Sequence, residues 1–415
     1  MSRRLLLTAW LLLSLAGGRA AAQTASAPGA APAPDAAAAA EPAPQHTLGG
    51  YLHVDARLFP QENPPQVDRF LLRRVRPSFK GVLWEHYRYK FLVDVASSNL
   101  QLLDAYVDVA YVPWLVLRTG KGKVPFGLER LQSATALDFV ERGLPTLLGP
   151  NRDVGVQLVG AIAGDALTYE LGIFNGTADN SVGETSLDDR FELAGRLFAR
   201  PLVASGVPGL RGLGLAVAAT AGEAIGTEAD PLIRSYPSAG GSAIFAYASP
   251  VVDAPVLAAG DHVRFTTQAM LYEGPLGLSG EYVWARQKVG AGPVLGDFTH
   301  QAFAAAATFA LTGERATYGS LVPRRPFDPL AGRWGAIELA ARYARIDFDD
   351  EAFDLGLASS SSATGASAIT AGINWHLSAV YKLQANFERT DFDMPGGAGP
   401  RPAENALLLR AQLSL

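Results

Sequence analysis

One short segment restricts the possible folds of this 415-residue chain more than any other feature. Residues 87–95 read YRYKFLVDV: every odd-numbered residue is aromatic or β-branched, and three of the four even-numbered residues are charged. Strict alternation predicts a β-strand whose two faces differ in polarity. A soluble β-sandwich would bury the apolar face, whereas a membrane barrel turns that face to lipid and its polar face to a water-filled lumen.

The number of such segments favours the barrel. After the N-terminus no stretch reaches the ~20 apolar residues that a spanning helix needs, and short alternating segments recur instead. Five tight turns, such as 113–114 and 274–275, alternate with five long loops, and only the links at 98–101 and 313–332 depart from this order. We therefore predict an all-β transmembrane antiparallel up-and-down barrel of sixteen strands at 48–59, 69–84, 86–97, 102–112, 114–122, 153–163, 166–174, 189–201, 211–221, 261–273, 276–290, 297–312, 333–346, 366–377, 379–392 and 404–415.

The first 46 residues are expected to lie outside this domain. Basic residues at 3–4, an apolar run at 5–15 and an Ala-rich cleavage site at 20–22 predict a secretory signal peptide over residues 1–22. Residues 23–46 are rich in Ala and Pro and are interpreted as a disordered linker, and residues 47–415 as the barrel. The absence of Cys excludes disulfides and thiolate metal sites, and a net charge of −5 gives no reason to expect nucleic acid as a partner.

Several longer segments resemble a known family. They are RRVRPSFKGVLW (73–84), GKGKVPFGLE (120–129), ERGLP (141–145) and YELGIFNGTADN (169–180), and they are similar to the phosphate-selective porins O and P. The resemblance covers nearly everything after the linker. It implies a trimeric, sixteen-stranded porin of the bacterial outer membrane, whose third loop (residues 124–153 here) folds into the lumen and narrows it. It also implies passive diffusion of small anions, with phosphate or polyphosphate as candidate substrates.

The residues themselves indicate an anion preference. Arg and Lys inside a narrow, poorly screened lumen attract anions, and basic residues outnumber acids at the predicted inward positions. Alternation places nine candidate pore-lining residues on inner strand faces: Arg74, Arg76, Lys80, Arg88, Lys90, Arg118, Arg196, Arg264 and Arg342. The third loop and its base add four more, Lys121, Lys123, Arg130 and Arg142, and here Glu129 and Glu141 are expected to pair with Arg130 and Arg142 and hold the loop.

Other functions remain open at this point. A general or sugar-selective porin would line its lumen with aromatic residues, an outer-membrane barrel enzyme would need a nucleophile, and a secreted β-sandwich binding protein would dissolve without detergent. The sequence contains no HExxH motif, no clustered metal-ligand spacing and no nucleotide-binding loop, so we expect no enzyme activity, metal or cofactor. The expected partners are small anions such as phosphate, outer-membrane lipid and two further copies of the chain.

Overall fold

The computed structural model describes residues 45–61, 66–164, 166–183, 189–205, 207, 209–249, 254–397 and 399–415. The predicted signal peptide and the predicted linker up to residue 44 lie outside the described residues. No helix in the part of the chain that the structure describes is long and apolar enough to cross a membrane.

Sixteen strands form one closed antiparallel barrel, as the alternation predicts. Neighbours along the chain pair with each other, Leu213–Ile225 pairs with Leu257–Glu273, and the first strand, Gln45–Leu58, pairs with the last, Glu404–Ser414, to close the barrel. Two short strands, Tyr236–Pro237 and Ala243–Phe245, form a separate hairpin between Leu213–Ile225 and Leu257–Glu273. The strands are β1 Gln45–Leu58, β2 Arg69–Leu83, β3 Tyr87–Asp94, β4 Gln101–Val112, β5 Leu115–Lys123, β6 Arg152–Ile162, β7 Leu167–Phe174, β8 Glu192–Ala199, β9 Leu213–Ile225, β10 Tyr236–Pro237, β11 Ala243–Phe245, β12 Leu257–Glu273, β13 Leu276–Ala291, β14 Val294–Ala310, β15 Ala336–Asp347, β16 Gly365–His376, β17 Tyr381–Asp393 and β18 Glu404–Ser414.

The two faces of the strands have the predicted polarity. In β3, Phe91 is 46% exposed on the outer surface, whereas Leu92 and Asp94 are buried on the inner side. In β18, Arg410 and Gln412 are buried inside the barrel. An outer wall of exposed apolar side chains is stable only where lipid replaces water, so the arrangement is that of a membrane barrel.

The connections differ in length at the two ends. Tight turns such as 113–114 and 274–275 lie at one end of the barrel, together with Gln45 and Leu415, and the long connections that follow β5 and β9 begin at the other end. Bacterial barrels have short periplasmic turns and long extracellular loops, which orients the molecule. The turn end also carries the long connection 311–335, which the sequence had indicated as a departure from the alternation.

One side of the lumen is filled by apolar side chains. The β10–β11 hairpin buries Ile244 and Phe245 completely, and the 3₁₀ turn Leu144–Leu148 buries Leu148. These groups pack against inner-face residues of β13 and β14, including Val283 and Phe298. The water-accessible space is therefore displaced toward β1–β5.

Candidate functional site

A large polar cavity lies inside the barrel, between the wall formed by β1–β5 and residues 124–151. Its volume is about 750 Å³. Three acidic residues line it, Asp104, Glu141 and Glu388, against twelve basic ones: Arg57, Arg73, Arg74, Arg76, Lys80, Lys90, Arg118, Lys123, Arg130, Arg142, Arg152 and Arg342. Acids just outside the lining offset part of this excess, such as Asp94 on Arg76 at 2.6 Å and Glu129 on Arg342 at 3.2 Å. The remaining cations still outnumber the acids, which gives a positive potential where water and small ions enter.

Residues 124–151 are held inside the barrel by hydrogen bonds to inward-facing strand residues. Lys382 Nζ donates to the Leu137 carbonyl oxygen at 2.9 Å, and Arg410 Nη1 donates to the Val140 carbonyl oxygen at 2.6 Å. At the far side, Glu281 of β13 accepts from the Leu128 amide at 2.8 Å. Contacts with β13, β17 and β18 therefore hold this loop against opposite parts of the inner wall.

Glu141 is the centre of the positive cluster. Its carboxylate lies 2.5 Å from Arg57 Nη2, 2.7 Å from Arg73 Nε and 4.0 Å from Arg74 Nη2. Burial raises the pKa of this carboxyl, but Arg73 and Arg74 outweigh that effect and hold the pKa of Glu141 well below its usual range. One full negative charge is thus shared by three guanidinium groups, which leaves an excess of positive charge.

The other wall cations are neutralised to different degrees. Arg118 makes a bidentate pair with Asp108 at 2.7 and 2.9 Å. In contrast, Lys90 and Arg152 share one carboxylate, that of Asp104, at 2.6 and 2.7 Å. Because Lys90 and Arg152 share the single negative charge of Asp104, this part of the wall also keeps an excess of positive charge.

Nine of the thirteen predicted pore-lining residues line this cavity, namely Arg74, Arg76, Lys80, Lys90, Arg118, Lys123, Arg130, Arg142 and Arg342. Arg88, Lys121, Arg196 and Arg264 do not. Arg88 is exposed, Lys121 is buried beside Asp153, and Arg196 donates to Gln268 at 3.2 Å. Arg264 is completely buried and pairs with Asp179 at 2.8 Å and Glu192 at 2.9 Å, which makes its role structural.

Sequence reasoning did not identify Arg57 and Arg73. Arg57 follows the inward-facing Asp55 by two residues, so alternation alone could have identified it. Arg73 could not be found this way, because the register of β1 and β2 shifts between His53 and Val54 and leaves Arg73 as the extra residue of a β-bulge. A bulge places two consecutive residues on similar sides of a strand, and here it directs both Arg73 and Arg74 toward Glu141.

The expected partners of the loop acids were wrong. Arg142 Nε donates to the Glu129 backbone carbonyl rather than to its carboxylate, and Arg130 Nη2 donates to the Thr146 carbonyl and the Asn180 side chain. The two carboxylates reach the wall instead: Glu141 to the arginines of β1 and β2, and Glu129 to Arg342 of β15 at 3.2 Å. Both acids hold the loop, but through partners distant in sequence.

Comparisons with known proteins agree with this geometry. The family model described as phosphate-selective porin O and P matches residues 46–414. The outer-membrane channel DcaP of Acinetobacter baumannii is 11% identical, with a TM-score of 0.57, and the match covers 90% of this chain and 97% of that one. OmpT of Vibrio cholerae is 11% identical, with a TM-score of 0.56 and coverage of 90% and 98%. The in-vitro folded trimer form of OmpT is 10% identical, with a TM-score of 0.54 and coverage of 90% and 100%. None of the curated proteins matches this sequence.

Proposed function

The chain belongs to the phosphate-selective porin O and P family, and we propose that this outer-membrane porin lets small anions, phosphate among them, diffuse passively through its lumen. The observation that carries the proposal is the sharing of Glu141 by Arg57, Arg73 and Arg74. An excess of fixed positive charge beside a narrow path raises the local concentration of anions and repels cations.

The arginine chemistry suits a phosphate substrate. A guanidinium group presents its donors in a planar fork that matches two oxygens of one phosphate. Arg130 and Arg142 face the cavity without a carboxylate bound to their side-chain nitrogens among the described residues. Hydrogen bonds to backbone carbonyls hold the side chains of Arg130 and Arg142 in place and do not neutralise their positive charges. An anion in the cavity can therefore bind to guanidinium groups that are already oriented.

A sugar-selective pore has less support. Sugar recognition uses open aromatic faces, but Tyr51 and Tyr106 are the aromatic side chains lining the cavity within the described residues. The guanidinium of Arg118 lies 4.1 Å from the centroid of the Tyr106 ring, and that of Arg76 lies 5.7 Å from that of Tyr51. A guanidinium group thus lies over one face of each ring.

The oligomer is proposed to be a homotrimer. The support comes from the family resemblance, from the fold shared with a protein whose structure is of a trimer form, and from the outer surface of β1 and β2. There Leu48 is 73% exposed and Phe70 is 83% exposed, more than most apolar residues of the wall. We likewise retain residues 1–22 as a proposed signal peptide and 23–46 as a proposed linker.

Reversal potentials in planar bilayers test the ion preference. In a tenfold KCl gradient, the sign of the reversal potential is expected to show chloride as the more permeant ion, and millimolar phosphate is expected to reduce the chloride current. Cation preference would refute the proposal while leaving the barrel intact. Anion preference without any effect of phosphate would refute the phosphate part alone.

A further inference from the structure

The long connection 311–335 at the turn end contains a segment that folds back into the barrel. Bacterial barrels normally have short turns at this end, so a connection of this length is unusual. Leu321 is 5% exposed and packs against Ala310 and Ala336, which are buried on the inner faces of β14 and β15. Part of the connection therefore lies inside the periplasmic mouth of the barrel. We call residues 316–321 the infolded segment.

The infolded segment is hydrogen-bonded to the loop that follows β5. Tyr318 Oη donates to the Leu128 carbonyl oxygen at 2.6 Å, and Gln132 Nε2 donates to the Tyr318 carbonyl oxygen at 2.9 Å. Ser320 Oγ donates to the Thr135 carbonyl oxygen at 3.2 Å. These hydrogen bonds join a connection from the periplasmic end to a loop that begins at the extracellular end.

The part of the loop that Tyr318 contacts is a single helical turn, Leu128–Leu131. A helix of four residues has too few internal hydrogen bonds to be stable alone, so its position depends on contacts with other parts of the chain. The Leu128 amide donates to Glu281 of β13 at 2.8 Å, and the Leu128 carbonyl oxygen accepts from Tyr318. Partners outside the loop therefore fix both backbone polar groups of the first residue in this turn.

The same helical turn determines where two arginines of the cavity lie. Arg130 belongs to the turn itself. Arg142 Nε donates to the Glu129 carbonyl oxygen at 2.8 Å, and Arg142 Nη2 donates to the Gln132 carbonyl oxygen at 3.0 Å. These are the two cavity arginines whose side-chain nitrogens bind carbonyl oxygens, and no carboxylate, among the described residues. A shift of the turn would therefore move both of the cations that are available to an anion.

We propose that Tyr318 is a positioning residue for the anion site, and this inference rests on the proposed function. From the periplasmic side it holds the helical turn, and through that turn it fixes Arg130 and Arg142. Tyr318 carries no charge and is not part of the cavity lining, so it acts through the loop. Phosphate binding needs guanidinium donors in fixed directions, and it should weaken when the Tyr318 hydroxyl is removed. The general attraction of chloride should stay the same, because every charge remains.

Planar-bilayer recordings of the full-length porin separate these two effects. In Tyr318→Phe, the inorganic phosphate concentration that halves the chloride current is expected to rise by about two- to fivefold, the range for one lost hydrogen bond. The reversal potential in a KCl gradient is expected to stay at the wild-type value. The matched control is Tyr282→Phe, which removes a hydroxyl that donates to Gln301 at 2.8 Å on the outer surface. This control is expected to change neither quantity.

A nitroxide spin label measures the motion of the loop directly. The chain contains no Cys, so Ser133→Cys provides a single labelling site in the loop, next to Gln132. The electron paramagnetic resonance spectrum is expected to show a more mobile label in Tyr318→Phe than in the wild-type background or in Tyr282→Phe. Since this measurement needs no phosphate, it tests the contact made by Tyr318 separately from the ion preference.

The two measurements distinguish failure of this inference from failure of the proposed function. If phosphate does not reduce the wild-type current, the phosphate function is refuted, and label mobility alone decides whether Tyr318 holds the loop. An unchanged half-blocking concentration in Tyr318→Phe, unchanged label mobility, or equal changes in the control would each overturn the inference. A shifted reversal potential would also overturn it, by placing Tyr318 on the conducting path. Heat-modifiable gel migration checks folding; if Tyr318→Phe does not fold, Ser320→Ala is expected to give about half the change.

Discussion

Replacing Glu141 with Gln removes one negative charge from the centre of the positive cluster and keeps nearly the same shape. The amide can still accept a hydrogen bond from Arg57 or Arg73, which lie 2.5 and 2.7 Å from the carboxylate. The three guanidinium groups would then have no counter-charge in contact. We expect stronger anion preference, because the same fixed cations act on the path without partial cancellation.

The size of the effect follows from Coulomb's law. A chloride ion ~6 Å from the Glu141 carboxylate is repelled by ~0.7–2.8 kcal/mol when the effective dielectric constant is between about 80 and 20, and the substitution removes this repulsion. Screening at 0.15 M salt, with a Debye length of about 8 Å, roughly halves this to ~0.3–1.3 kcal/mol. The local anion concentration should therefore rise by a factor between about two and ten.

Bilayer recordings measure this change directly. Glu141→Gln is expected to move the reversal potential toward the chloride limit and to raise conductance most at low salt. Asp391→Asn, which removes one charge from the outer wall, is the control and should leave the reversal potential unchanged. A shift toward cations in Glu141→Gln, or no shift at all, would mean that the cluster does not lie on the conducting path.

Three further changes probe other parts of the lumen. Arg74→Glu with Arg76→Glu turns two positive wall charges negative and should move the reversal potential toward cations; an unchanged value would remove both residues from the path. Arg264→Met should leave Asp179 and Glu192 buried without a cation and lower stability by about 3–5 kcal/mol, seen as a lower temperature for loss of the compact gel form. The reversal potential of this variant should stay the same. A shifted reversal potential would mean that Arg264 contributes to conduction. Lys382→Met removes the donor to the Thr135 and Leu137 carbonyls, so residues 124–151 should move more. Larger and noisier single-channel currents would support this, and quiet, unchanged currents would contradict it.

The barrel was predictable because lipid imposes a simple rule on each strand. Outward positions within the lipid-facing band must be mostly apolar, and this produces the alternation read in residues 87–95. The β10–β11 hairpin produces no such alternation in the sequence, since its strands have only two and three residues. Its position depends on contacts distant in sequence, such as Phe245 stacked on Phe348 with ring centroids 4.5 Å apart. Local pattern carries no information about such contacts.

For the candidate site, the sequence indicated which basic residues face inward but not which acids pair with them. Alternation places Arg74, Arg76 and Lys90 on inner strand faces, and all three line the same cavity. The partners of Glu141 are 84 and 68 residues away, and one of them reaches the lumen only through a β-bulge. Which acid neutralises which base depends on how the loop crosses the barrel, and neighbours in sequence were a poor guide to that.

The apolar side of the lumen explains how so many like charges stay together on the other side. Two guanidinium groups ~7 Å apart repel each other by roughly 0.6–2.4 kcal/mol at effective dielectric constants of 80 to 20. This repulsion would push residues 124–151 off the wall if charge pairs alone held them. Leu148 and Phe126 of this loop are fully buried on the opposite side, and burying each such side chain contributes about 1.5–3 kcal/mol. The dry packing therefore opposes the repulsion, so the number of uncompensated arginines that the wall can hold depends on the apolar contacts across the barrel.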